Sequence, residues 1–265
     1  MIFDTHTHYD DHAYDADRDE VLRGLKAHNV GKIVNIGADM QGSRDTVALT
    51  VKYPFVYGTV GVHPDEVGEL SEDKFEELRC LAQEPKIVAI GEIGLDYHGF
   101  DIYEGKPDKE TQSYWFRRQL ELAMELDLPV VIHSRNAAQD TMDIMKEYHA
   151  KGLKGAVIHC YSYSKETAFE YLDMGFYIGI GGVLTYEGQK KLTKVVESMP
   201  LDRLLLETDC PYLTPVPIRK DRERNSSAYL NYVVDKICEL RGISVEEIES
   251  VSWDNAHRFY GIDNA

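Results

Sequence analysis

The sequence predicts an α/β protein, a (β/α)8 TIM barrel with two additional C-terminal helices. Three observations predict it. Short β-branched runs alternate with longer amphipathic segments from one end of the chain to the other, and eight of the runs read as strands. The 265 residues suit one barrel, which typically takes about 250. No linker, low-complexity tract or repeat beyond the strand–helix unit interrupts the pattern, so 1–265 reads as a single domain.

The strands are expected at 2–5, 32–36, 55–60, 87–90, 130–132, 156–158, 176–180 and 203–206. Runs such as Ala156-Val157-Ile158 and Leu204-Leu205-Leu206 are apolar throughout, as strands covered on both faces must be. Between them, Phe75, Leu78 and Leu81 recur at helical spacing behind a Ser71 cap, and Phe116, Leu120, Ala123 and Met124 do the same further on. Gly179-Ile180-Gly181-Gly182 after the seventh strand reads either as a close backbone approach or as ordinary turn chemistry. Two helices follow the eighth strand, near 226–240 and 245–259, and are expected to pack outside the barrel. The second opens with the capping box Ser244-x-x-Glu247.

Composition narrows the class. With 29 Lys plus Arg against 46 Asp plus Glu the net charge is -17, which excludes a broad basic platform gripping duplex nucleic acid. Hydrophobic content of 43% and 17 tyrosines exclude disorder. The first twenty residues are acidic and lack the apolar block of a secretory signal, and no apolar run has the length of a membrane span. Cys80, Cys160, Cys210 and Cys238 lie far apart without CxxC spacing, which suits a reducing compartment. The chain therefore reads as cytoplasmic, with no membrane association and no obligate protein partner.

Barrels of this type do their chemistry at the C-terminal ends of the strands. There the first strand runs into Asp4-Thr5-His6-Thr7-His8, whose two imidazoles share one side because strand residues alternate. The third runs into His63, the fourth into Glu92 and Asp96, the fifth into His133-Ser134-Arg135, the sixth into His159 and the eighth into Glu207-Thr208-Asp209. Ten histidines spread evenly would place about 0.6 in the roughly sixteen exit positions of eight strands, yet His6, His8, His63, His133 and His159 all fall there. His12, His28, His149 and His257 read instead as solvated helix or loop residues. Nitrogen and oxygen donors without thiolates favour zinc, manganese, iron or magnesium. Four histidines and two carboxylates exceed one tetrahedral site, so two divalent ions (Zn, Mg or Mn) sharing Glu92 is the natural arrangement, and it favours hydrolysis.

These residues resemble the TatD family of metal-dependent deoxyribonucleases, within the amidohydrolase-like barrels. The resemblance spans essentially the whole chain. It rests on Asp4-Thr5-His6-Thr7-His8, Gly61-Val62-His63-Pro64, Gly91-Glu92-Ile93-Gly94-Leu95-Asp96-Tyr97, Ile132-His133-Ser134-Arg135, His159-Cys160-Tyr161-Ser162 and the run from Glu207 through Asp209 to Pro215. It implies that His6 and His8 hold one ion with Glu92 and Asp209, and that Glu92 bridges to a second ion held by His133 and His159. It further implies hydrolysis of nucleic-acid phosphodiesters, trimming single-stranded DNA or other nucleic-acid ends in the 3′-5′ direction. One departure is visible: the family usually reads Arg-Asn-Glu-Pro where this chain has Arg224-Asn225-Ser226-Ser227.

On that reading Asp209 and Glu92 are the catalytic carboxylates, Asp209 taking the proton of a water that the ions activate to hydroxide. His63 is the candidate phosphate contact, against a purely structural role. Arg135 either pairs with phosphate or with Asp96 or Glu207. Tyr161, with Tyr97 and Tyr212, is placed to stack on bases. Arg224 ends the basic stretch from Arg219, which reads either as a phosphate funnel or as a solvated segment paired with itself. The competing function on the same barrel is a metal-dependent hydrolase of esters or amides, such as a lactonase, an amidohydrolase or a D-aminoacyl-tRNA deacylase.

Overall fold

The computed structural model describes residues 1–100, 102, 104–221 and 224–263. Its strands are β1 (Ile2–Thr7), β2 (Val30–Ile36), β3 (Val56–Val60), β4 (Ile87–Asp96), β5 (Val130–Arg135), β6 (Ala156–Ile158), β7 (Tyr177–Ile180) and β8 (Leu204–Leu206). They follow one another in chain order within one sheet, with paired strands parallel. Each is followed by a helix: α1 (Arg18–Gly24), α2 (Met40–Lys52), α3 (Glu72–Leu81), α4 (Lys109–Glu125), α5 (Ala138–Ala150), α6 (Lys165–Asp173), α7 (Lys190–Ser198), then α8 (Leu230–Arg241) and α9 (Val245–Tyr260). This is the (β/α)8 barrel class with C-terminal helices, as expected. Among the described residues no helix is long and apolar enough to cross a membrane.

Contacts are densest within two units, Met1–Asn35 with Cys160–Ala265, and Ile36–His159. In the first, the β8 end meets β1: Asp209 N–H donates to His6 O at 2.9 Å and His8 N–H to Cys210 O at 2.8 Å. Helix α9 packs on both strands. Its stripe of Trp253, Ala256, His257 and Tyr260 has the spacing of one helix face, and Phe3 of β1 meets Trp253 and His257 at ring-centroid distances of 5.7 and 5.3 Å. The expectation of a solvated His257 is therefore corrected. The residue is buried, its Nε2 2.8 Å from Lys32 Nζ and its Nδ1 2.8 Å from Trp253 O. The i, i+4 relation to Trp253 puts this polar ring on the apolar face, and these two partners satisfy it. Ser244 caps α9 by accepting from Glu247 N–H at 3.2 Å, as the capping box requires.

The glycines at the end of β7 do mark a close approach. A Cβ on Gly179 would stand 2.2 Å from Glu207 Oε2, so only glycine leaves that carboxylate its place beside β7.

In the second unit, Phe75 of α3 and Trp115 of α4 pack together over the strands, and Ser71 caps α3 through Lys74 N–H. Here β4 and β5 overrun their expected ends at 90 and 132. The ladder continues through Gly94↔His133, Leu95↔Ser134 and Asp96↔Arg135. The residues beyond the apolar runs keep their backbone pairing, with Leu95 and Asp96 buried and Arg135 exposed. Gly94 permits it: at φ +149° it lies so close to His133 O that a Cβ would sit 1.9 Å away.

Gly179→Ala is expected to lower the unfolding free energy by about 2 kcal/mol or more, read as a reduced urea midpoint. Gly24→Ala in α1, where an added Cβ meets nothing within 4 Å, serves as the control that loses no stability. Equal midpoints for the two variants would contradict the packing argument.

Candidate metal centre

In the first unit, alternation along β1 brings His6 and His8 to the same side, with their Nε2 atoms 3.2 Å apart. Asp209 Oδ1 lies 3.3 Å from His8 Nε2 and 3.6 Å from His6 Nε2. A tetrahedral ion with bonds of about 2.1 Å separates its ligand atoms by roughly 3.4 Å, so the three edges fit the donor set of a divalent ion. Asp209 is placed by a left-handed backbone, φ +59°, and by its bond to His6 O. Behind them Asp4 is buried. It accepts from Thr208 N and Oγ1 at 3.0 and 2.6 Å and from His6 N at 3.3 Å, tying the two strand ends together. Burial pushes its carboxyl up to about 7, against the pull of hydrogen bonds from Ser227, Thr208 and His6. Glu207, also buried, accepts from Cys160 N–H at 2.5 Å.

In the second unit, Glu92 on β4 gathers the histidines. Its Oε1 lies 2.8 Å from His133 Nδ1, 3.0 Å from His159 Nε2 and 4.0 Å from His63 Nε2. The other face of His133 turns to Asp96, with Nε2 at 3.0 Å from Oδ2. Burial works against a charged His133, but hydrogen bonds to Asp96 and Glu92 overcome it and hold its pKa above the ordinary value. Burial, with His133 nearby, pushes His63 down to about 3. His63 Nδ1 accepts from Asp65 N–H at 3.2 Å, so the neutral ring carries its proton on Nε2 and presents a donor there. The Cys210 thiol does not compete as a ligand: it is buried and its pKa is pushed up to about 12 by burial and by Asp4.

The structure thus brings together His6, His8 and Asp209 in one unit and Glu92, His133 and His159 in the other, with His63 beside Glu92. The expected substrate contacts fare differently. The Arg135 side chain is exposed and, among the described residues, forms no ion pair with Asp96 or any other carboxylate. Tyr161 is buried, its hydroxyl donating to Ser164 O at 2.6 Å, so its ring face is closed to a base. Arg224 is held bidentately by Asp17 at 2.8 and 2.6 Å and lies over the Tyr14 ring. That pairing replaces the self-paired segment, since Asp17 lies 207 residues away. Arg219 of the same stretch lies 4.2 Å over Tyr186, while Arg222 and Glu223 fall outside the described residues. At the Ser226-Ser227 departure, Ser226 caps the turn through Ala228 N–H, and the Ser227 hydroxyl accepts from Tyr9 OH at 2.9 Å. Sequence reasoning missed Lys106, whose Nζ reaches Asp96 and Asp65. It named Tyr212 only in passing, although that ring is half exposed and 6.2 Å from His8.

Comparison with known proteins agrees with this geometry. The model of the TatD related DNase family matches residues 3–261. An uncharacterized metal-dependent hydrolase of Bacillus subtilis, YabD, is 40% identical, the match covering 99% of this chain and all of YabD. A protein of Erwinia tasmaniensis named as a 3′-5′ ssDNA/RNA exonuclease, TatD, is 35% identical over 93% of this chain and 94% of its own. Among solved structures, the TatD homolog YJJV of Escherichia coli K12 superposes with a TM-score of 0.90 at 30% identity, over 99% of this chain and 98% of its own.

Imidazoles bind metal only when neutral, so affinity falls as pH is lowered through the histidine range. Saturating Mn2+ is expected to raise the thermal midpoint at pH 8, and the increment should shrink toward zero by pH 5, measured by scanning fluorimetry with an EDTA control. An increment that grows as pH falls, or none at either pH, would count against the donor assignment.

Proposed function

The chain belongs to the TatD-related DNase family and is a metal-dependent hydrolase; from that premise we propose that it trims single-stranded nucleic-acid ends, DNA foremost, from the 3′ side. The observation that carries the reading is the triangle of His6, His8 and Asp209, whose edges of 3.2, 3.3 and 3.6 Å match a divalent-ion donor set at the end of β1. Support for the substrate comes from the relative named as a 3′-5′ ssDNA/RNA exonuclease. YabD, also similar, carries only the name of a metal-dependent hydrolase.

Two divalent ions fit the donors, one on His6, His8 and Asp209 and one on Glu92, His133 and His159. Ions held there supply Lewis acidity toward a phosphodiester and make water usable as a nucleophile near neutral pH. Asp209, partly open to solvent, takes up the proton released as water attacks phosphorus. His63, a donor at Nε2, holds a non-bridging phosphate oxygen, and the exposed Arg135 guanidinium is free to approach the same group. Tyr161 and Arg224 serve the fold instead, through Ser164 and Asp17. A cytoplasmic setting is consistent with cysteines that are all free.

The test is a 5′-labelled single-stranded oligonucleotide incubated with purified chain and Mg2+, Mn2+ or Zn2+. A ladder shortening from the 3′ end is expected, abolished by EDTA. Asp209→Asn should lower kcat by about a hundredfold or more with the fold intact by circular dichroism. Intact oligonucleotide together with hydrolysis of lactones, amides or aminoacyl esters would replace the nuclease reading with the competing one. Ion counts for Glu92→Ala, one or zero, show whether that carboxylate serves one ion or both.

A further inference from the structure

We propose that Lys106 is a positioning residue for the metal ligand His133, acting through Asp96. The inference rests on the metal reading above and adds to it a residue outside the donor set.

The chain of contacts lies within one unit. Lys106 Nζ is 2.9 Å from Asp96 Oδ1, 2.7 Å from Asp65 Oδ1 and donates to His98 O at 2.7 Å. Two of its hydrogen bonds go to Asp96 Oδ1 and His98 O, and Asp65 Oδ1 faces it as an ion pair, on a side chain only 6% exposed. Buried among these groups, Lys106 has no open path to a substrate phosphate. Its effect is exerted on Asp96. The Asp96 backbone is gripped at both ends by Gln112, which accepts from Asp96 N–H and donates to Asp96 O and Pro107 O. Its Oδ1 receives Lys106 and the His98 N–H. With backbone and Oδ1 fixed, Oδ2 has one direction left, and there it meets His133 Nε2 at 3.0 Å.

Both His133 nitrogens face carboxylates, but Glu92 is itself a donor for the ion, whereas Asp96 stands behind the ring and only accepts, so with an ion bound the remaining proton stays on Nε2. The nitrogen left to coordinate is Nδ1, the one aimed at Glu92. Partners behind a ligating histidine of this kind set which nitrogen binds and are worth about 10–100-fold in metal affinity. The lysine is what orients that partner here. Without it the carboxylate keeps the His98 amide but loses the charged one of the two groups that fix its torsion, and both His133 nitrogens become available to the ion.

The test uses the full chain and Mn2+ followed by isothermal titration, with the His133 tautomer read from long-range 15N–1H spectra of the Zn2+-loaded protein, assigned by loss in His133→Gln. Lys106→Met is expected to weaken one of the two Mn2+ steps about 10–100-fold and to give His133 mixed tautomers. Lys106→Arg should restore most of both. Asp65→Asn removes the lysine's other anion, leaves its Asp96 contact, and should change affinity by less than about twofold. Should Lys106→Met fail to fold, Asp96→Asn reads the same link and is expected to scramble the His133 tautomer. Wild-type affinity and a single tautomer in Lys106→Met would overturn the proposal alone. So would an Asp65→Asn loss equal to that of Lys106→Met, which would make the lysine a loop fastener. A wild-type chain that takes up no Mn2+ overturns the metal reading and this inference with it.

Discussion

Burying carboxylates without stranding their charge is the constraint from which the rest of the architecture follows. Asp4, Glu92, Asp96 and Glu207 are each less than 5% exposed, and an uncompensated charge at such depth costs several kcal/mol. Each is answered locally. Asp4 takes the Thr208 and His6 donors, Glu207 the Cys160 amide, Asp96 the Lys106 ammonium and the His98 amide, and Glu92 the imidazoles of His133 and His159. The strands must end in register for these partners to meet. This is why β1, β4 and β5 carry their ladders past the apolar stretch into polar sequence.

The same constraint explains what the sequence disclosed. Eight strands were legible because a parallel sheet covered on both faces demands unbroken apolar runs, and the clustering of His6, His8, His63, His133 and His159 at their ends was legible because ligands must leave the strand on one side. Strand ends fell short of the observed ones at β4 and β5, where the ladder runs on to Asp96 and Arg135 past the β-branched runs that mark the strands. Long-range pairings left no local trace: Arg224 finds Asp17, and Lys32 finds His257. Lys106 stayed invisible for a related reason. It lies ten residues beyond Asp96 in a connecting segment with no periodicity, and only the fold returns it to the carboxylate.

The charge of -17 also takes on a more definite meaning. Much of the acidity lies on exposed helix surfaces, where Glu72, Glu77 and Glu147 pair with Arg118, Arg44 and Arg117. Such a surface repels a polyphosphate at long range, so under the proposed function a nucleic acid would be drawn in by the local field of bound cations rather than by the protein as a whole. That favours a short end over an internal stretch of strand.

The junction of the first and last strands has a temporal side. Asp4 and His6 meet Thr208 and Asp209 across some 204 residues of sequence. On a ribosome adding about 5–20 residues per second, the first strand would wait on the order of 10–40 s for its partner. Throughout that interval the nascent chain exposes a strand edge, Ile2 and Phe3 included, with its eventual neighbour not yet made. The last third of the chain, from β7 through α9, supplies the cover all at once, so β1, though made long before β8, is among the last strands to be secured.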